Sequence, residues 1–382
     1  MVSKSITRII AASAMLWAWQ AHAGVDLQPT LRLFAEERYD DDVLLRTEAG
    51  SAGGQLMTKL SPQAGVELRD PTLTLKSWYA ADFIFRHGSG NSSLDHRGSL
   101  NVKKMFTERL SMDADLRVWR VSDPTSLPRL GMARTLSPIL YGRAELAGNY
   151  RITPRWTGRV GYRFEGARIF EEGSTGGVMH SPYVEGLYRL SRLTDVGARY
   201  RLQYFGFGQE SADSNALLAE YRQRFSHVTT LTARAGGAYY RSRVDGATGL
   251  VPVLNVELER VHEQLELGLV LGHDLVGASG FASALWADYA SFIGGYRFQP
   301  RLRAFWAASV YRNGAPPNVG AFGVGRSASG YALGGGVEWR INRMVSVQGT
   351  FDRLSQFGGP VDATGGQLSR NIVAGRLTIQ AL

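Results

Sequence analysis

Read by parity, long stretches of this chain separate into two unlike sets of residues. In 109–118 the even positions are Leu110, Met112, Ala114, Leu116 and Val118, and the odd ones are Arg109, Ser111, Asp113, Asp115 and Arg117. In 155–165, Trp156, Gly158, Val160, Tyr162 and Phe164 alternate with Arg155, Thr157, Arg159, Gly161, Arg163 and Glu165. In 195–204, Val196, Ala198, Tyr200, Leu202 and Tyr204 oppose Asp195, Gly197, Arg199, Arg201 and Gln203. Near the end, Val345, Val347, Gly349 and Phe351 oppose Ser346, Gln348, Thr350 and Asp352. A period of two sustained over about ten residues is strand geometry with one apolar and one wet face. A helix would scatter these arginines around its circumference.

The pattern predicts eighteen strands, near 29–40, 55–70, 72–87, 93–106, 108–122, 138–153, 155–170, 178–191, 193–208, 213–226, 228–243, 249–262, 263–275, 282–299, 301–314, 327–342, 344–357 and 369–382. Their connections alternate between tight and long. Phe106-Thr107-Glu108, Ile152-Thr153-Pro154, Phe225-Ser226-His227 and Ile341-Asn342-Arg343 are among the tight ones. The stretches 41–54, 123–137, 171–177, 315–326 and 358–368 are long and rich in Gly, Ser, Asp or Pro. A meander with short turns at one end and long loops at the other predicts an all-β fold: a single antiparallel up-and-down transmembrane β-barrel. Its short turns would be periplasmic and its longer loops extracellular. The even strand count leaves both termini on the short-turn side. A soluble all-β array is the competing architecture. It would leave unclosed edges, and it gives no reason for apolar and Arg-rich faces to recur along the chain.

Composition narrows the setting. Hydrophobic residues make up 44% and charged residues 20% of the 382, which excludes both a disordered chain and a bundle of membrane helices. Cysteine is absent, so there is no disulfide framework, thiolate metal site or cysteine nucleophile. The formal charge of +9 comes mostly from Arg, since Lys occurs only at 4, 59, 76, 103 and 104. Residues 1–23 read as a signal peptide, with basic Lys4 and Arg8, an apolar core from Ile9 to Trp19, and a small-x-small cleavage site at Ala21-His22-Ala23. Residues 24–382 would then be the barrel, exported to a Gram-negative outer membrane. Its surroundings there are outer-membrane lipid, and nucleic acid is not an expected partner.

An aromatic girdle is expected at both interfaces: Trp156, Phe225, Phe298 and Trp339 near the tight turns, and Tyr39, Trp119, Phe170, Phe205, Tyr240 and Tyr311 near the long loops. About eighteen strands leave an aqueous bore unless a loop fills it. Candidate lining residues are Arg109, Arg117, Arg143, Arg151, Arg155, Arg159, Arg163, Arg189, Arg199, Arg201, Arg222 and Arg224. Carboxylates such as Asp113, Asp115, Glu145, Glu165, Glu185, Asp195 and Glu220 share their parity. Two roles follow: a neutralised ladder of cross-strand ion pairs that stiffens the wall, and a basic surplus that favours anionic solutes such as acidic sugars. The loops 123–137 and 315–326 are candidate constrictions.

No catalytic residue, cofactor or metal site is expected. His262-Glu263 lacks a second His, and Gly277-Ala278-Ser279-Gly280 lacks the spacing of a nucleophile elbow. His96 follows Asp95 in a predicted loop, and His273-Asp274 sits at a strand end. Asp40-Asp41-Asp42 has no regular calcium-loop spacing. Gly334-Gly335-Gly336 falls inside a strand, where glycine relieves crowding.

Two short motifs carry a resemblance. The first strand and its exit read Leu31-Arg32-Leu33-Phe34-Ala35-Glu36-Glu37-Arg38-Tyr39-Asp40-Asp41-Asp42-Val43, and Leu60-Ser61-Pro62 opens the second. In these and in its layout the chain resembles outer-membrane barrel proteins encoded beside exopolysaccharide export and exosortase systems, including myxobacterial polysaccharide-secretion porins. The resemblance implies a conduit passing a secreted exopolysaccharide to the surface, with periplasmic polysaccharide-export and co-polymerase proteins as partners. A passive-diffusion porin and a loop-plugged structural or adhesive barrel are the alternatives. The chain departs from the usual outer-membrane ending: its last residues are Gln380-Ala381-Leu382 rather than a terminal aromatic.

Overall fold

Alternation of this kind leaves a strand with two incompatible faces, and the sheet resolves the conflict by closing on itself. The computed structural model describes residues 26–41, 54–88, 90, 92–122, 138–170, 176–207, 210–243, 246–277, 284–314, 328–358 and 368–381. These form β1 (Asp26–Asp40), β2 (Gln55–Asp70), β3 (Leu73–Arg86), β4 (Ser92–Met105), β5 (Leu110–Val121) and β6 (Ile139–Arg151). Then come β7 (Trp156–Ile169), β8 (Gly177–Arg189), β9 (Thr194–Phe207), β10 (Glu210–Arg224), β11 (Thr229–Ser242) and β12 (Thr248–Val261). The last are β13 (Leu265–Gly277), β14 (Ala284–Gln299), β15 (Leu302–Gly314), β16 (Ala328–Arg340), β17 (Val345–Gly358) and β18 (Leu368–Ala381). Each strand pairs antiparallel with its chain neighbours, and β1 also pairs with β18, so the 18-stranded sheet is a closed barrel. The signal peptide at 1–23, the loops 123–137 and 315–326, and Leu382 lie outside the described residues.

Closure joins residues far apart in the chain. Asp40 and Arg370 form a fully buried ion pair across the β1–β18 seam, and Asn371 donates its backbone N–H to Asp41 Oδ1 at 2.6 Å. Lower on the same seam Arg376 Nε donates to Glu36 Oε2 at 2.8 Å.

The outer face is apolar and unshielded. Val160 is 65% exposed, Leu217 63% and Leu250 78%. Such a continuous belt is unfavourable in water and fits a hydrocarbon surround. At one end the chain turns tightly, and a Ser, Thr or Asn side chain holds the turn. Thr107 Oγ1 accepts from Arg109 and Leu110 N–H, Thr153 Oγ1 from Arg155 and Trp156 N–H, and Asn342 Oδ1 from Met344 and Val345 N–H. These short polar residues close the turn without an inserted loop.

Prolines mark where the ladder lapses. Pairing of β2 with β3 skips Ser61 and Pro62, and pairing of β8 with β9 skips Ser181 and Pro182. The largest lapse is at β12. It pairs with β11 from Thr248 to Arg260, but with β13 only between Leu254↔His273 and Val261↔Glu266. Beyond that point the described end of the β13–β14 hairpin, Asp274–Gly277 with Ala284–Trp286, leaves the wall as a tip turned toward the bore. There Leu275 and Trp286 are buried against inward-facing residues of β9–β12.

Candidate functional site in the bore

The wet face of β5–β11 carries more arginine than carboxylate, and the carboxylates lie deeper. Glu145 on β6 is approached by Arg163 at 2.9 Å, Arg143 at 3.5 Å and Arg159 at 3.7 Å. Tyr183 on β8 reaches the same group from two strands away, donating to Glu145 Oε1 at 3.0 Å. It does so by lying across Gly161 on β7, where a Cβ would overlap the phenol ring. Arg159 and Arg199 stand over that ring, 5.8 and 4.8 Å from its centroid.

A second cluster follows on β8–β11. Glu185 pairs with Arg199 and with Arg222 at 3.0 Å. Glu220 takes Arg222 at 2.6 Å, Arg234 at 3.2 Å and Arg199 at 3.8 Å. The Glu185 and Glu220 side chains are 1% and 0% exposed, whereas Arg222, Arg143 and Arg163 keep 29%, 31% and 34% of theirs open to the bore. Negative charge is thus held against the wall while guanidinium N–H groups face the lumen. An ion entering the bore meets a positive surface.

Ten of the arginines singled out from sequence lie in the strands, on the parity that forms these pairs: Arg117, Arg143, Arg151, Arg159, Arg163, Arg189, Arg199, Arg201, Arg222 and Arg224. Arg109 and Arg155 do not. They fall in the tight turns before β5 and β7, and Arg155 Nη1 reaches the Tyr188 hydroxyl at 3.2 Å. Arg189 and Arg224 share Asp195 at the turn end, at 3.5 and 3.6 Å. Arg201 Nη1 and Nη2 donate to Asp274 Oδ2 and Oδ1 at 2.7 and 2.6 Å, spanning from β9 to the folded-in tip of β13.

The expected girdle near the long loops needs correction. Tyr39 and Phe170 are on the outside, 48% and 46% exposed. Trp119, Phe205, Tyr240 and Tyr311 instead take the bore parity. Trp119 packs on Tyr141, Phe205 and Tyr240 belong to the buried cluster under the β13–β14 tip, and Tyr311 donates to Gln356 Oε1 at 3.1 Å. Height along the strand placed them correctly; facing is set by register, which reverses at each residue. Near the turns, Trp156, Phe225, Phe298 and Trp339 are all exposed. Tyr183 was missed, and its only sequence signal is a glycine at the cross-strand position.

His96 lies within β4 rather than in a loop, on the outer face, with Nδ1 2.6 Å from the Tyr79 hydroxyl. His273 Nδ1 contacts Asp288 Oδ1 at 2.5 Å, also on the outer parity. Among the described residues no group of three or more His, Asp or Glu side chains could hold a metal ion.

No family model matches the chain, and no curated protein matches it in sequence. Solved structures of outer-membrane porins align over most of its length. Pseudomonas aeruginosa OpdK with vanillate aligns at TM-score 0.45 and 12% identity, over 93% of this chain and 99% of that one. Pseudomonas aeruginosa OccK2 (OpdF) in complex with glucuronate gives 0.44 and 11%, over 94% and 99%. Acinetobacter baumannii OccAB2 gives 0.44 and 12%, over 93% and 98%.

Proposed function

We propose that this barrel is an outer-membrane channel for anionic solutes, and that its physiological cargo is a secreted acidic exopolysaccharide. The observation that carries the channel reading is the layering of charge in the bore. Glu145, Glu185 and Glu220 are each shared among two or three arginines whose remaining N–H groups face the lumen. Guanidinium binds carboxylate bidentately, which suits uronate-bearing chains. Spreading the arginines over several strands gives many weak sites instead of one trap, as conduction requires. The polymer reading rests in addition on the Tyr39-Asp40-Asp41 step and Leu60-Ser61-Pro62. It brings periplasmic polysaccharide-export and co-polymerase proteins as partners, and assigns no catalytic role to the barrel.

Planar-bilayer recording in a salt gradient tests the channel. A reversal potential favouring anions is expected, and it should move toward neutrality in Arg159→Gln with Arg163→Gln. Short polyuronate oligomers should interrupt the current. A bore that is always closed would reject the reading. Deletion of the gene followed by a surface-polysaccharide assay tests the cargo: unchanged polysaccharide with anion conductance intact would leave a passive anion-favouring porin.

A further inference from the structure

The barrel wall is closed at β1–β18 yet unzipped at β12–β13. Leu250–Val253 pair with β11 but not with β13, although Asp274–Gly277 would be their next partners in register. Val261 N–H donates to Val228 O and His262 N–H to Leu265 O. Even-numbered residues of β12 therefore turn their backbone groups toward β13. Pro252 has no N–H to offer there, and it sits where pairing has stopped. Leu250 and Pro252 point outward at this free edge, and Leu250 is 78% exposed. An unpaired edge at the height of an apolar belt is costly in hydrocarbon. A wall that keeps one has a use for the slot.

On the bore side of the slot the lining changes character. Phe205, Val251 and Val253 form an apolar patch in an otherwise Arg- and Glu-lined channel, and Leu275 and Trp286 of the tip sit on it. The tip is latched by the Arg201–Asp274 pair. Polar atoms are buried here without hydrogen-bond partners: Trp286 Nε1, Gln203 Oε1 and Ser214 Oγ. An apolar surface with a few convergent polar atoms is the composition of a ligand site.

We propose that the β12–β13 slot is a lateral port for single-chain acyl carboxylates, gated by the β13–β14 tip. The ligand's carboxylate takes the place of Asp274 on Arg201, which frees the tip. Its chain then occupies the patch that Leu275 and Trp286 cover, and leaves through the slot past Leu250 and Pro252 into the membrane. The gate opens because the ligand binds only the unlatched state. This route goes beyond the anionic channel and uses a different stretch of wall.

The test uses the full chain in lipopolysaccharide-containing vesicles, with a diazirine-bearing dodecanoic acid as probe and labelled residues mapped by mass spectrometry. Labelling of Phe205 and Val253 is expected, increased in Asp274→Asn, lost in Arg201→Gln and retained in Arg201→Lys. The matching dodecanol should not label the patch. The chain has no cysteine, so Val251→Cys with Val276→Cys provides a reversible staple. In a zipped wall these two would form a non-hydrogen-bonded pair with Cα atoms about 4.5 Å apart, within disulfide reach. Oxidation should leave the patch open to label from the bore but stop passage of the probe from the lumen into the membrane, and reductant should restore passage, while anion conductance persists in both states. Labelling confined to the outer belt, labelling indifferent to Arg201→Gln, or a disulfide that does not form under oxidant would each overturn the port. A barrel that conducts anions and fails all three separates this failure from failure of the channel reading.

Discussion

Replacing Glu220 by Gln separates the structural role of the charge ladder from its role in selection. Glu220 is fully buried and lies 2.6, 3.2 and 3.8 Å from Arg222, Arg234 and Arg199, whose side chains are 29%, 16% and 13% exposed. Gln keeps the shape and removes the charge, leaving Arg199 and Arg222 to share Glu185, and Arg234 with Glu257 at 3.7 Å. Removing one partner of a buried ion pair costs about 3–5 kcal/mol. These arginines retain some water, so the low end, about 3 kcal/mol, is expected. Asp195→Asn is the control. Its partners Arg189 and Arg224 are 53% and 46% exposed, and the loss should be about 0–1 kcal/mol. Urea unfolding in vesicles, followed by tryptophan fluorescence, measures both. The same substitution raises the positive charge of the bore, so the reversal potential should shift further toward chloride. That shift should shrink at about 1 M salt, where the Debye length is only about 3 Å. A Glu220→Gln barrel as stable as its parent would refute the view that buried carboxylates hold the arginines in place. Unchanged selectivity would refute the positive bore surface.

Three further outcomes follow from the same geometry. Leu146→Arg, on the outer face, should lose roughly 2–4 kcal/mol in vesicles, whereas Asn149→Arg, three residues on and facing the bore, should fold in comparable yield. Asp40→Asn should cost about 3–5 kcal/mol, because it removes one charge of the fully buried Asp40–Arg370 pair at the β1–β18 seam. It should appear as a lowered temperature for the gel-mobility shift of the folded barrel. Gly161→Val should displace Tyr183 and break its 3.0 Å bond to Glu145, a loss of about 1.5–3 kcal/mol for a hydrogen bond to a charged group. Tyr183→Ala in the same chain should recover part of the packing strain, which thermal melts of single and double variants would reveal.

Most of the scaffold was legible because its determinant is local. Hydrocarbon outside and water inside impose a period of two on every strand, and the polar residues that close the tight turns stand at fixed places between them. The eighteen strands fall where that pattern ends, with shifts of a few residues, such as β1 starting at Asp26 and β10 at Glu210. What sequence did not disclose depends on contacts across the bore. Arg201 and Asp274 are 73 residues apart and meet only because the β13–β14 tip has left the wall. Pro252 was the one local sign, and taken alone a proline in a strand says only that a ladder bond is missing. Phe205 and Tyr240 were misread for the same reason: aromatic residues near a loop suit a girdle, and only the folded-in tip makes them a core.

The tyrosine that lies across a glycine recurs around the barrel. Tyr183 crosses Gly161 to Glu145, Tyr289 crosses Gly272 to accept from Asn255 Nδ2, and Tyr311 crosses Gly330 to Gln356. Every such bond links a strand to its second neighbour, so it is satisfied only when three consecutive strands are aligned. A hairpin that has slipped by one residue would turn the phenol to the wrong side and gain nothing from it. At these three places a bond would form only when the register of three consecutive strands is right together, so each tyrosine favours the alignment of a triplet over that of any single pair.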